Sequence, residues 1–325
     1  MHFTVGTFNL RNLALPNIQV YKDLMYSPQE YEAKIMWSMT QLTKLDADIV
    51  AFQEAFHDEA LEELISRAGY KPSQLIISKT DQLEPKVGLL SRFPIKSQRC
   101  LSTLPKECQT EEFQHFRRPL IHAEIELSTE QSLHIFAIHL KSKQPLMSPD
   151  ANPLDSISIS KGISKSLQLR ALEATAIRSF ILDVLPDPVI VLGDFNDISQ
   201  SVTTQIICGP KAPYQSSPLQ RHQFIQERLF PVCDAAALKR YTNAHYTYAY
   251  NGWHENIDQI LLSNHFADNN PRAIGRLHYT HVFNDHLIDH SFYNVDMPKH
   301  ISDHGQLMAK INLLNAEQQK SSNSI

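Results

Sequence analysis

Residues 189–197 read VIVLGDFND. An aliphatic run meets a glycine, and the glycine opens onto two aspartates and an asparagine. The run predicts a short buried strand, and Asp194 and Asn196 fall just beyond its last apolar residue. The same arrangement recurs along the chain. The alternating stretch Phe3–Asn9 predicts a strand that ends on Asn9, and the buried run DIVAFQ (48–53) ends on Glu54. SLHIFAIHL (132–140) carries His139 near its end, Asp258 enters IDQILLS (257–263), and Asp303 and His304 precede GQLMAKI (305–311). One polar residue at a strand end is an ordinary turn signal. Many of them, all Asn, Asp, Glu or His, predict one convergent site at the edge of a sheet core.

The elements between these strands set the fold class. Ser27-Pro28-Gln29-Glu30 has the form of a capping box with proline at the first helical position. It predicts a helix to about Leu45, with Ile35, Met39 and Leu42 on one face. A second helix is predicted over Asp58–Ala68, with Leu61, Leu64 and Ile65 inward, and a third over Ser166–Leu185. From Gln74 to Leu140 the pattern is strand after strand. The proline- and serine-rich stretch 144–160 reads as a long surface loop, and a histidine-rich connection separates the strands predicted at Ile257–Leu262 and Gln306–Ile311. No repeat or composition break divides the chain. We therefore expect one α+β domain over residues 1–313, two packed sheets flanked by helices, with a polar tail over 314–325.

Composition narrows the function. The 325 residues carry 30 basic and 35 acidic side chains, a formal charge of −5, and 42% are hydrophobic. A disordered chain is excluded, and so is a protein that holds nucleic acid by global charge alone. Only 9 glycines stand against 18 prolines, which argues against a glycine-rich phosphate loop. Four cysteines, Cys100, Cys108, Cys208 and Cys233, form no CxxC pair, so neither a disulfide framework nor a cysteine zinc site is expected. No run approaches the about 18 apolar residues of a membrane helix, and the first residues lack the pattern of a secretory signal. The expectation is a cytoplasmic protein without membrane insertion. The candidate site offers hard oxygen ligands and histidine without cysteine. That set suits Mg²⁺, or Mn²⁺ in its place, completed by water and substrate phosphate.

TFNLRN, VAFQEA, GLLSRFPI, FAIHLKSK, VIVLGDFND, ENIDQILLS and ISDHGQ resemble, in order and approximate spacing, the endonuclease/exonuclease/phosphatase superfamily with the DNase I-like fold. HLKSKQP and NDHLIDHSFYN are similar to a bacterial branch of it. The resemblance spans about Thr4 to Ile311. It implies a four-layer α/β sandwich, two mainly antiparallel sheets between helices, with the site at one end. It further implies that Glu54 is the principal metal carboxylate, with Asn9 and Asp303 completing or orienting the metal's surroundings. Asp194 would position and deprotonate the attacking water, and Asn196 would hold a phosphate oxygen. His304 would contact the scissile phosphate and assist proton transfer or charge stabilisation, and Asp258 would fix its tautomer. His139 would contact the phosphate from the other side or help protonate the leaving oxygen. Whether Asp194 or His304 is the base stays open.

Arg118, Lys141 and Lys143 are candidates for phosphate contacts, with Arg92 and Arg117 behind them; each reads equally well as a solvated surface charge. Lys141 and Lys143 follow His139 at period two, so the pleat would aim them alike. The cluster His278, His281, His286 and His290 reads as a loop beside the site or as a second metal site, although HxxH on a strand splits the pair between faces. Trp253 and its neighbouring tyrosines read as core aromatics, with stacking on a base or sugar as the alternative. The function expected is metal-dependent cleavage of nucleic acid phosphodiesters. The competing expectation is hydrolysis of a small nucleotide, inositol phosphate or lipid head group.

Overall fold

The computed structural model describes residues 1–21, 24–80, 82–128, 131–239, 246–292 and 297–314. Along the chain run β1 (His2–Leu13), α1 (Pro28–Leu45), β2 (Ile49–Ala55), α2 (Asp58–Arg67), β3 (Leu75–Ile77), β4 (Lys86–Ser91), β5 (Ile95–Thr103), β6 (His115–Ser128) and β7 (Gln131–His139). Then follow α3 (Ser156–Val184), β8 (Val189–Asp194), α4 (Val202–Cys208), α5 (Pro218–Gln226), β9 (Leu229–Pro231), α6 (Val232–Lys239), β10 (Tyr248–Tyr250), β11 (Trp253–Glu255), β12 (Asp258–Ser263), β13 (Gly275–Phe283) and β14 (Gln306–Leu313).

Two six-stranded sheets form, in the orders β13-β14-β1-β2-β4-β3 and β5-β6-β7-β8-β12-β9, beside a β10–β11 hairpin. The pairs β1–β2 and β7–β8 are parallel; the other named pairs are antiparallel. Alternation decides which face is which. Phe3, Val5, Ile49 and Ala51 of the first sheet pack against Ile135, Ala137, Ile190, Leu192 and Ile260 of the second. The alternate residues Phe8, Val50 and Phe52 pack under α1 and α2, and Phe136, Ile138, Val189 and Val191 pack under α3 and α4. The result is the four-layer sandwich that the alternation calls for.

Sequence and structure differ at identifiable places. α3 begins at Ser156, ten residues before the expected start, so the expected loop ends at Asp155. Asp155 caps the helix by accepting from Ser158 N at 2.8 Å. The serine–isoleucine alternation of 156–160 lacks helical period, which hid this turn. The short helices α4, α5 and α6 were not predicted, and the histidine-rich connection contains a whole strand, β13, carrying His278 and His281. Trp253 and Tyr250 are not core residues; they are 73% and 54% exposed. The expected tail lies, from residue 315, outside the described residues.

The inward face of α1 carries a polar anomaly. Lys34 is fully buried and its Nζ has no hydrogen-bond partner. Burial, with the Arg11 charge adding, lowers its pKa from 10.5 to about 7, while Asp303 and Glu54 act in the opposite direction. Between those two values the unfolded chain binds more protons than the folded one, so stability rises with pH across the window. We predict that Lys34→Met stabilises the protein by about 1–3 kcal/mol. The gain should be largest below pH 7 and shrink toward pH 10.5, measured by thermal unfolding. A gain independent of pH would contradict a buried lysine charge.

Candidate active site

The strand ends that looked related in sequence meet in space. In the second sheet, His139 of β7 is the register partner of Asp194 of β8, and Asp194 is the partner of Asp258 of β12. The three side chains continue the inward faces of their strands, so they form one row across the sheet. Gly193 makes the row possible: at φ +146, a Cβ there would lie 2.0 Å from the Ile138 carbonyl oxygen. No side chain fits in that gap.

From the first sheet, Asn9 of β1 reaches across the sandwich. Its Nδ2 donates to Asp194 Oδ2 at 3.0 Å and to Glu54 Oε1 at 3.3 Å, and lies 3.5 Å from His304 Nε2. Its Oδ1 accepts from Arg11 N at 2.9 Å. Asn9 therefore ties two carboxylates together instead of offering its oxygen to them. Glu54 would by strict alternation face the helices. It adopts φ 63, beside register breaks of β2 against both neighbours, and its carboxylate turns toward the site, where Asn12 N donates to it at 3.1 Å.

His304 arrives on the turn before β14. Ser302 Oγ donates to Asn9 O at 2.7 Å and accepts from His304 N at 3.1 Å. The imidazole Nδ1 lies 2.8 Å from Asp258 Oδ2, and its Nε2 lies 4.0 Å from Asp194 Oδ2. Burial opposes charge on His304, but Asp258 and then Asp194 outweigh it and hold its pKa well above the ordinary value. His139, 3.4 Å from the same Asp194 oxygen, goes the other way. Burial, then the Arg118 charge, holds it well below the ordinary value. Burial also pushes the Asp194 carboxyl up to about 7. One acid thus sits between a charged and a neutral histidine.

The Asp194 carboxylate is shared. Its Oδ1 accepts from Asn196 N at 2.8 Å, an Asx turn that leaves Oδ2 facing the site. Asn196 Nδ2 and Arg118 Nη1 both donate to Leu140 O, at 3.1 Å each. The basic candidates are otherwise occupied. Lys141 Nζ donates to Ser142 O and Gln144 O, both at 2.9 Å, and Lys143 pairs with Glu255 at 2.9 Å. Asp303 is half-exposed and faces Arg11 at 3.8 Å. Arg92 pairs with Asp46 and Asp48 on a different surface and does not line this cleft.

Glu54, His139, Asp194, Asn196, Asp303 and His304 line a cleft of about 1,200 Å³, with Asn9 and Asp258 behind them. Ligand atoms of Asp194, Asp258 and His304 lie within 4.8 Å of one another, while Glu54 and Asp303 do not share that group. An oxygen-rich donor set with several carboxylates on one floor fits a hard divalent cation.

Sequence reading missed several contributors. Glu173 of α3 accepts from Arg117 N at 2.7 Å and Lys141 N at 2.8 Å, and Arg170 donates to Asp197 at 3.0 Å and Lys141 O at 3.1 Å. The signal was available, since Glu173 lies on the Leu169–Ala176 stripe of the helix. His286, from the histidine cluster, donates through Nε2 to His304 O at 3.0 Å, and its ring packs edge-on against Trp37 at 5.1 Å. Gln306 Nε2 donates to the same oxygen at 3.2 Å.

Residues 38–304 match the endonuclease/exonuclease/phosphatase family. The chain belongs to that family. Its members are phosphoric ester hydrolases, and this chain is one. Solved structures agree on the fold. An endonuclease/exonuclease/phosphatase from Beutenbergia cavernae is 14% identical, with 97% of this chain and 72% of that one covered and a TM-score of 0.55. Humanised TDP2 from D. rerio is 14% identical over 96% of this chain and 99% of its own, with a TM-score of 0.57. The human Nocturnin catalytic domain, solved with a bound sulfate, is 14% identical over 96% and 95%, with a TM-score of 0.53. No curated protein matches the sequence. Among the described residues, no helix is long and apolar enough to cross a membrane.

The His286 contact yields a prediction for this hydrolase. His286→Leu keeps apolar packing on Trp37 but removes the donor to His304. It should lower kcat about 2- to 10-fold, the value of one hydrogen bond, with KM unchanged. His286→Gln should recover most of the loss. Equal kinetics for Leu and Gln would show that packing alone matters.

Proposed function

We propose that this family member is a divalent-metal-dependent nuclease that hydrolyses phosphodiester bonds of DNA or RNA, with Mg²⁺ as its ion and Mn²⁺ as substitute. One observation carries the reading: the buried row His139–Asp194–Asp258, capped by His304 and tied through Asn9 to Glu54, presents His139, Asp194 and His304 to an open cleft. Residues 1–313 are the catalytic unit.

Glu54 is the principal ligand carboxylate. Asp303 and Asn9 complete and orient its surroundings, Asn9 by holding Glu54 against Asp194. The ion, when bound, supplies positive charge for the phosphoryl and leaving oxygens. The remaining chemistry belongs to the side chains. The opposed histidine states support one division of the work. His304, kept charged by Asp258, faces the phosphate as a cation beside Asp194, and Asp194 acts as the base. Asp194 takes a proton from the attacking water as its oxygen bonds to phosphorus. The bond from phosphorus to the leaving oxygen breaks in line, on the side away from Asp194, and that oxygen takes its proton from solvent water. Neutral His139 donates a hydrogen bond to a phosphoryl oxygen, and Asn196 and Arg118 hold the phosphate from the Leu140 side.

The test is hydrolysis of DNA and RNA with Mg²⁺ or Mn²⁺. Chelation should abolish turnover and added Mg²⁺ should restore it. Asp194→Ala should lower kcat by about 10²- to 10⁴-fold without loss of folded structure. Glu54→Gln should raise the Mg²⁺ concentration needed for half-maximal rate by about tenfold or more. Unchanged activity in Asp194→Ala would sink the assignment.

A further inference from the structure

The cleft that should receive a polyanion offers it few free cations beside His304. Five cations line it, Arg11, Arg117, Arg118, Lys141 and Lys143, against the acids Glu54, Asp194, Glu255 and Asp303. Most of the cations are spoken for. Arg11 faces Asp303 at 3.8 Å, Arg117 pairs with Glu84 at 3.1 Å, and Lys143 pairs with Glu255 at 2.9 Å. Lys141 spends its ammonium on main-chain carbonyls. Arg118 alone of the five makes no ion pair and no such cage among the described residues, and its Nε is buried without a partner. The whole chain carries −5. Such a surface releases few counterions when a strand binds.

What the rim lacks in charge it has in rings. Tyr248 packs 5.3 Å from His304, centroid to centroid, and its backbone bridges to His304. Tyr250 follows 6.4 Å from Tyr248, with the rings nearly parallel, and Trp253 is the register partner of Tyr250 across the hairpin. Residues two apart on one strand and directly opposite on its partner share a face. The three rings therefore form one track that starts at the catalytic histidine and runs outward along the cleft. Its outer members, Tyr250 and Trp253, are 54% and 73% exposed, a large apolar expense for a two-stranded hairpin.

Resting on the nuclease reading, we infer that the substrate is single-stranded: a short oligonucleotide or strand end, held at about one phosphate by Arg118 and the catalytic floor. The base beside the scissile bond stacks on Tyr250 and Trp253. Bases inside a duplex already stack on one another and must be pulled out, at a cost of a few kcal/mol, before they can lie on a side chain. Each aromatic contact is worth about 1–3 kcal/mol per base and ignores salt far better than a phosphate contact does.

The experiment uses the full chain at fixed Mg²⁺. Its substrates are a dinucleotide, a single-stranded oligonucleotide, the same oligonucleotide in a duplex, and bis-p-nitrophenyl phosphate. For the single strand, KM should rise less than about tenfold between about 50 and 200 mM KCl, whereas a grip on six or more phosphates loses about 10³-fold. The dinucleotide should be cleaved and the single strand preferred over the duplex. Trp253→Ala should raise KM for the strand by about 5- to 100-fold with kcat held, and Trp253→Phe should recover it. Steep salt dependence, preference for the duplex, or an unchanged KM in Trp253→Ala would overturn the inference and leave the nuclease reading standing. Turnover of bis-p-nitrophenyl phosphate without cleavage of any strand would overturn both.

Discussion

Asp194 and Asp258 sit opposite each other on neighbouring strands, both fully buried, and most of the architecture answers that fact. Like charges directly across an antiparallel pair are destabilising on a surface and far more so in an interior. They persist only with compensation from several directions. His304 brings its imidazole to Asp258, Asn9 brings its amide to Asp194, and the Asn196 backbone supplies a further donor. Those compensating groups come from the other sheet or from the loops beside it. The two sheets are thus pinned together at this end by charge, while elsewhere aliphatic side chains hold them. The hold on His304 also reaches back to His286 and Gln306 through its carbonyl.

That arrangement explains how much could be read from sequence. A strand buried on both faces has to be an apolar run, and a catalytic group at its end has to break the run with Asn, Asp, Glu or His. Asn9, His139, Asp194, Asp258 and His304 were visible for this reason, and the structure brings them together. What escaped lacks such a signature. The first turns of α3 alternate Ser and Ile because they lie on the surface, where no periodicity is imposed. β13 is at a sheet edge, carries a bulge at Leu277/Tyr279, and so reads as a connection. Lys141 and Lys143 obey period two in sequence, but β7 ends at His139, and beyond it the pleat no longer aims them. Trp253 and Tyr250 were misjudged because an exposed aromatic and a core aromatic look alike in a string of letters.

The same reasoning explains how a chain can share this fold with structures at 12–14% identity. The fold needs apolar alternation, which many side chains satisfy, and the chemistry needs a few polar groups at fixed register positions. The β10–β11 hairpin and the loop after β7 are under neither demand. They border the cleft, so they are free to set what enters it. In this chain they bring rings and neutralised charges, with Glu255 of the hairpin clasping Lys143 of the loop. Breadth of grip is given up there in favour of stacking.

Departures from local rules converge on the same place. Of the seven non-glycine residues with positive φ among the described residues, five, Arg11, Asn12, Glu54, Asn196 and Asn251, line the cleft, while Asn17 and Asp46 lie outside it. Asp194 of the like-charged pair lines it with Asp258 directly behind, and the buried Lys34 feels the charges of Glu54, Asp303 and Arg11. Each feature costs stability that another sequence could have kept. Away from the cleft, by contrast, α1 has a complete capping box, and the aliphatic residues of β1, β2, β6, β7 and β8 alternate between the clusters. Strain distributed at random would be poor design without meaning. Strain gathered around one set of hydrogen-bonded acids and histidines means that the fold is stable enough elsewhere to hold those groups where water and a phosphate would meet them.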